Sequence, residues 1–126
     1  MTDSKINIKC LDSSAWLFYY FNESAEMIKI VDEEGFIITS SLSLFEVKKR
    51  LLVLKKDYEI FLNFIKERGV IIAPGILIAE DAANISYDNK LPAIDALIYA
   101  TSKSCNAELI TGDNDFRGMD GVRIIG

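Results

Sequence analysis

Three aspartates have the types and spacing that a carboxylate site at a sheet edge needs. Asp12 follows the first predicted strand, while Asp113 and Asp115 follow the fourth strand after Gly112, which allows a sharp turn. Because ligands of open α/β sheets bind outside the carboxyl ends of the strands, these side chains are expected at one edge. These residues also have an ordinary structural interpretation. Asp12 can be the N-cap of a helix, and residues 112–114 can form a turn.

Asp95 and Glu46 extend this set to five acids. Asp95 lies in the first turn of a largely apolar helix that follows Pro92. A carboxylate there is costly to bury unless it meets a metal, a basic group or backbone donors. Glu46 lies on a helix directly after a buried strand, and a right-handed crossover would bring it to the edge that holds Asp12. The alternative for Glu46 is a surface ion pair with Arg50 one turn later.

Five acids at one edge indicate a divalent cation. The carboxylates would repel one another in a shared pocket of low dielectric. Mg²⁺ or Mn²⁺ takes oxygen ligands, and in nucleases it activates water and stabilises the leaving oxygen. The chain has no histidine, which excludes Ser-His-Asp hydrolysis, Cys-His proteolysis and imidazole-based RNA cleavage. Cys10 and Cys105 have no CxxC spacing, so a zinc site is not expected.

The composition indicates one acidic, globular domain over residues 1–126. Half of the 126 residues are hydrophobic, which is enough for a core and excludes a disordered chain. There are 19 acidic and 14 basic residues, for a formal net charge of −5, so a broad basic surface is excluded. Without the five acids above, 14 acidic residues would equal the 14 basic ones. The excess negative charge could therefore lie largely in one pocket.

The chain is predicted to be a cytoplasmic protein that does not enter membranes. Residues 1–9 alternate polar and apolar side chains and lack the apolar region of a signal peptide. The longest apolar stretches, 15–21 and 71–79, fall short of the roughly 20 residues of a membrane span. The unpatterned cysteines fit a reducing compartment.

Hydrophobic periodicity predicts an α/β fold in which strands alternate with helices. Strands are predicted at 6–11, 36–39, 70–72, 108–111 and 122–125, and helices at 15–21, 24–33, 43–54, 57–68, 76–87 and 92–103. Ser13 and Ser14 are the predicted cap of the first helix, and the predicted buried stripe of the fourth consists of Ile60, Phe61, Phe64 and Ile65. This order predicts a three-layer α/β/α sandwich around a mostly parallel sheet of four or five strands.

Four stretches in order, 11–15, 44–47, 91–98 and 109–116, make the chain resemble the PIN domain. In size and layout it is similar to the VapC-like toxins of toxin–antitoxin pairs, which are Mg²⁺- or Mn²⁺-dependent ribonucleases. The resemblance implies an acidic site made of Asp12, Glu46, Asp95 and Asp113, with Asp115 as a variable fifth member. It also implies that Ser13 and Thr111 support the acids, that the chain forms homodimers, and that a cognate antitoxin lays a peptide over it.

The leading hypothesis is an endoribonuclease in which water activated by the metal attacks the scissile phosphate. Asp12, Asp95 and Asp113 are expected to hold the metal directly or through water, and Glu46 and Asp115 to complete the cage or orient the water. The candidate RNA phosphate contacts, whose alternative is an ordinary solvated surface, are Lys48, Lys49, Arg50, Lys103 and Arg117. The alternative function is a non-catalytic PIN-like module that binds protein or RNA. The presence of all four family acids favours the enzyme.

Overall fold

A parallel sheet of five strands forms the centre of the computed structural model, which describes residues 7–126. The strands are β1 (Ile8–Leu11), β2 (Phe36–Ser40), β3 (Val70–Ile72), β4 (Glu108–Thr111) and β5 (Val122–Ile124). Their order in the sheet is β3-β2-β1-β4-β5, and every neighbouring pair is parallel. The predicted α/β class and parallel sheet are confirmed. Ile6, the predicted start of the first strand, lies outside the described residues.

Six α-helices connect the strands. They are α1 (Ser13–Tyr20), α2 (Ala25–Asp32), α3 (Ser41–Val53), α4 (Glu59–Arg68), α5 (Ile76–Asn89) and α6 (Ala93–Ser104). A short 3₁₀-helix, Asn114–Phe116, follows β4 where the sequence indicated only a turn. It forms because the Asp113 side chain accepts a hydrogen bond from the backbone N–H of Asp115 and so caps it. No helix among residues 7–126 has the length and apolar character needed to cross a bilayer.

The sheet is covered on both faces by separate apolar clusters. Ile37 and Ile110 pack into one cluster with residues of α1 to α4, whereas Ile38 and Leu109 pack into the other with residues of α5 and α6. Neighbouring strand residues point to opposite faces, so an uninterrupted apolar strand serves both clusters. This arrangement gives the three layers that the sequence predicts.

One predicted core position is wrong. Ile60, which the sequence placed in the buried stripe of α4, is 85% exposed. The helix instead buries Leu62 and Ile65, which lie three positions apart, while Ile60 lies on the opposite side of the helix from Leu62.

The strand order explains why the predicted acids can meet. β1 lies between β2 and β4, so the residues that follow these three strands share one edge of the sheet. The chain first passes from β1 to β2 on one side of β1 and later returns to form β4 on the other side of β1. Open α/β sheets bind ligands at such a reversal of strand order.

Candidate active site

Asp12 is fixed by three hydrogen bonds at the end of β1. Its Oδ1 accepts from the Ala15 backbone N–H at 3.0 Å and from the Ser14 hydroxyl at 2.7 Å, and its Oδ2 accepts from the Thr111 hydroxyl. The side chain is only 4% exposed. Burial raises the pKa of Asp12, and the hydrogen bonds oppose that rise because they stabilise the carboxylate. Asp12 is thus both the N-cap of α1 and part of a wider polar network.

Two of these donors also connect the ends of β1 and β4. The Ser14 hydroxyl accepts from the Gly112 N–H at 2.8 Å, and the Thr111 hydroxyl accepts from the Asp113 N–H at 3.0 Å. The family resemblance implies a supporting role for Thr111, and the Thr111 hydroxyl donates to Asp12. The resemblance does not include Ser14, which the sequence predicts only as part of a helix cap. The position of Ser14, two residues after Asp12, is the local signal for its role at the site.

Gly112 is required where the chain leaves β4. A Cβ atom there would lie 2.4 Å from Cε2 of the Phe18 ring, closer than two carbon atoms can approach. The missing side chain lets the backbone pass against Phe18. Asp113 therefore comes directly into the space beyond the strand ends.

Glu46 lies on α3, near Asp12 and Asp113. Its Oε1 accepts from the Ser13 hydroxyl at 3.1 Å. Burial raises the pKa of Glu46, the Ser13 hydrogen bond opposes that rise, and the negative charges of Asp12 and Asp113 add to it, with Lys49 as a weaker opposing charge. The alternative ion pair with Arg50 is not among the ion pairs of residues 7–126.

The other three acids bring their carboxylates together. One oxygen each of Asp95, Asp113 and Asp115 lies within 4.8 Å of the others. Asp95 comes from the first turn of α6, and the remaining two come from the segment after β4. Burial, followed by the charges of the neighbouring acids, of which Asp113 contributes most, raises the pKa of Asp95 to about 7. This crowded negative charge suits a hard divalent cation.

The three clustered carboxylates are not the same three that the sequence predicts as metal ligands. The three clustered carboxylates include Asp115 in place of Asp12, whose oxygens already accept three hydrogen bonds. Asp12 is still close enough for its charge to raise the pKa of Asp95 and Glu46. All five predicted acids therefore interact electrostatically, but only three form the tight cluster.

The predicted phosphate contacts have different surroundings. Lys103 forms an ion pair with Asp120 at 3.3 Å, and the Lys48 ammonium lies 5.0 Å from the centre of the Tyr58 ring. Lys49 is near enough to Glu46 to lower its pKa. Arg50 is exposed on α3, and Arg117 follows the 3₁₀-helix beside Asp115.

Comparisons with known proteins agree with this architecture. The sequence model of the PIN domain family matches residues 9–122. No curated protein sequence matches the chain significantly. Among solved structures, a toxin–antitoxin complex from Klebsiella pneumoniae has a TM-score of 0.76 and 23% identity, covering 91% of this chain and 95% of that chain.

Two further solved structures share the fold at lower identity. VapBC2 from Rickettsia felis, bound to a DNA fragment from its promoter, has a TM-score of 0.77 and 16% identity, covering 94% of this chain and 99% of that chain. VapC20 from Mycobacterium tuberculosis, a sarcin–ricin loop cleaving toxin, has a TM-score of 0.68 and 14% identity, covering 89% of this chain and 95% of that chain.

Proposed function

Because this chain belongs to the PIN domain family, we propose that it is a Mg²⁺- or Mn²⁺-dependent endoribonuclease and the toxin of a toxin–antitoxin pair. The observation that carries this proposal is the convergence of Asp95, Asp113 and Asp115 within 4.8 Å at the carboxyl edge of the sheet. A cytoplasmic location agrees with this activity and with the two free cysteines.

The residues at the site fit a divalent cation. Asp95, Asp113 and Asp115 would hold it, and Asp12 would add a direct or water-mediated contact through the one lone pair its hydrogen bonds leave available. No lysine or arginine forms an ion pair with these four acids in the part of the chain that the structure describes. When bound, Mg²⁺ or Mn²⁺ supplies activation of water and neutralisation of charge on the scissile phosphate.

Glu46 is the proposed base. The Ser13 hydroxyl binds Oε1 and so fixes the carboxylate, while Oε2 is available to orient the attacking water and accept its proton. The raised pKa of Glu46 strengthens it as a proton acceptor relative to an ordinary glutamate. As the water oxygen bonds to phosphorus and its proton passes to Glu46, the bond between phosphorus and the 3′ oxygen would break. The leaving oxygen would take a proton from bulk water, which gives a 5′-phosphate and a 3′-hydroxyl.

The test compares wild-type protein with Asp95→Asn. We expect the variant to lose Mn²⁺ binding in calorimetry and Mn²⁺-dependent cleavage of RNA, while its far-UV circular dichroism stays unchanged. Asp81→Asn, which removes the same charge from an exposed position on α5, is the matched control. Undiminished cleavage by Asp95→Asn would contradict the assignment. Mn²⁺ binding by the wild type without cleavage of any RNA would instead favour the non-catalytic binding module.

An apolar groove between α3 and α4 supports the proposed antitoxin partner. Its volume is about 400 Å³, and its lining residues are Leu44, Phe45, Lys48, Lys49, Leu52, Leu62 and Lys66. Phe45 and Leu52 are more than half exposed, and the three lysines give this groove positive charge in an acidic protein. An acidic amphipathic helix from an antitoxin would match both properties. We expect Phe45→Glu, but not Ile60→Glu on α4, to release the product of an adjacent small reading frame during co-purification.

The proposed homodimer would use the outer face of α5 and the start of α6. Tyr87 is 86% exposed on α5, and Ile94 on α6 is also exposed. Between the two helices lies a hollow of about 500 Å³ with alanines at Ala79 and Ala83. Small residues allow the helices of a second copy to approach closely, and the large exposed side chains supply apolar area for burial.

A further inference from the structure

A second groove shares Asp115 with the carboxylate cluster. It runs between the C-terminal end of α5, the side of α6 and the loop after the 3₁₀-helix, and its volume is about 410 Å³. Its lining residues include Asp115, which belongs to the cluster, together with Asn89, Tyr99, Arg117 and Asp120. We name it the Arg117 groove. Its volume falls within the range of roughly 300–1,000 Å³ that is usual for small-ligand sites.

The charges that line the Arg117 groove favour a phosphate. Asp120 is paired with Lys103 at 3.3 Å, and Asp115 belongs to the proposed metal site. Arg117 forms no ion pair with a carboxylate among residues 7–126. Its Nη2 donates to Asn114 Oδ1 at 2.6 Å, which orients the guanidinium and leaves its other N–H groups available. An oriented arginine with free donors is well suited to bind phosphate oxygens.

The loop that carries Arg117 is held firmly against the core. Phe116, the residue before it, is fully buried and stacks on Tyr99 with ring centroids 6.5 Å apart. The Tyr99 hydroxyl donates to the backbone carbonyl of Asp120 at 2.6 Å. Gly118 adopts a φ of +82°, a conformation that glycine reaches without strain, and this allows the loop to turn back. Arg117 is therefore preorganised beside the cluster rather than carried on a free chain end.

From this geometry we propose that the Arg117 groove binds the nucleotide next to the scissile phosphate of a single-stranded RNA, and that Arg117 contacts the phosphate of that nucleotide. The proposal rests on the proposed function, because it takes RNA as the substrate of the neighbouring carboxylates. Arg117 has the role of a positioning residue: it holds the strand across the acidic site, where an unneutralised phosphate would be repelled. Tyr99 is only 7% exposed, so base stacking on its ring is not part of the interaction.

The experiment measures binding of a fluorescent single-stranded RNA of mixed sequence to the full chain. Ca²⁺ replaces Mg²⁺, and a gel confirms that the RNA stays intact. We expect Arg117→Ala to weaken binding by about 5- to 10-fold and to reduce the slope of log affinity against log salt by about 0.7, as loss of one single-strand phosphate contact requires. Arg117→Lys should recover part of the affinity because it keeps the charge but not the planar donor geometry.

Lys56→Ala is the matched control, since it removes one positive charge from an exposed position that does not line the groove. Equal weakening by Lys56→Ala and Arg117→Ala would overturn the proposal, because it would show diffuse attraction. Unchanged binding by Arg117→Ala, or no RNA binding by the wild type, would also overturn it. Arg117-dependent binding together with a complete lack of Mn²⁺-dependent cleavage would leave the groove standing and refute only the nuclease activity.

Discussion

Replacing Asp95 with asparagine should stabilise the metal-free protein at alkaline pH. The pKa of Asp95 rises from 3.8 to about 7 on folding, and each pKa unit corresponds to about 1.36 kcal/mol. If the whole pKa shift acted on stability, ionised Asp95 would lower the free energy of unfolding by about 4 kcal/mol. The side chain is partly open to solvent, which screens the repulsion and makes the real effect smaller. We therefore expect the Asp95→Asn substitution to raise the free energy of unfolding by about 1–2 kcal/mol at pH 8.

The sign of this effect follows from proton linkage. The folded state holds the Asp95 proton more tightly than the unfolded state does, because the pKa is higher in the folded state. Stability of the wild type therefore falls as the pH rises from about 4 through 7. The advantage of Asp95→Asn should be largest above pH 7 and should shrink toward pH 5.

The assay is urea unfolding in EDTA at pH 5 and pH 8, followed by fluorescence of Trp16, the single tryptophan, which is fully buried. Asp81→Asn is the charge-matched control and should change stability little at either pH. Adding Mn²⁺ at 100 times its Kd should stabilise the wild type by about 2.7 kcal/mol and Asp95→Asn far less. Equal destabilisation by Asp95→Asn at both pH values would refute the reasoning, since it would show that Asp95 supports the fold rather than carrying unrelieved charge.

Three further substitutions test separate parts of the structure. Lys90→Gly should raise the free energy of unfolding by about 0.5–1 kcal/mol in urea titrations, because Lys90 ends α5 with a φ of +52°. Gly112→Ala should lower the free energy of unfolding by about 1–3 kcal/mol through the clash with Phe18. A smaller loss in the Phe18→Ala background would identify the ring as the cause. Tyr87→Asp should convert a dimer to a monomer in light scattering, whereas Ile60→Asp should not. A dimer that survives Tyr87→Asp would contradict the proposed α5 face.

Several features of the fold and the site could be predicted because they depend only on residues close together in the sequence. The apolar runs of β2 and β4 identify buried strands because such runs can face two covered surfaces of a parallel sheet. The sequence predicts Asp12 and Asp113 at one sheet edge because Asp12 follows β1 directly and Asp113 follows β4 after Gly112. The cost of a carboxylate on an apolar helix predicts a functional role for Asp95. These inferences needed no knowledge of contacts between distant residues.

The features that the sequence did not reveal depend on contacts distant along the chain. Ser14 joins the amide of Gly112, which is 98 positions away, and no local pattern encodes that pairing. The exposure of Ile60 depends on which side of α4 meets the core, and Ile60 fits the apolar period as well as a buried residue would. The proximity of Asp115 to Asp95 depends on the 3₁₀-helix, which Asp113 caps.

The carboxylates of the site have two different roles. Asp12 is part of the polar network that joins the ends of β1 and β4, whereas Asp95, Asp113 and Asp115 are the proposed ligands of the cation. Asp12 meets three donors, so the fold fixes it without a cation, and two of them, the Ser14 and Thr111 hydroxyls, also hold Gly112 and Asp113 in place. The Asp95 carboxylate accepts no hydrogen bond from another group among residues 7–126, while burial and the neighbouring acids raise its pKa, so a bound cation would relieve its charge. The position of Asp113, and through its cap that of Asp115, thus depends on hydroxyls outside the carboxylate cluster. Cation affinity should accordingly depend on Ser14 and Thr111 as well, because they set the spacing of the carboxylates that bind it.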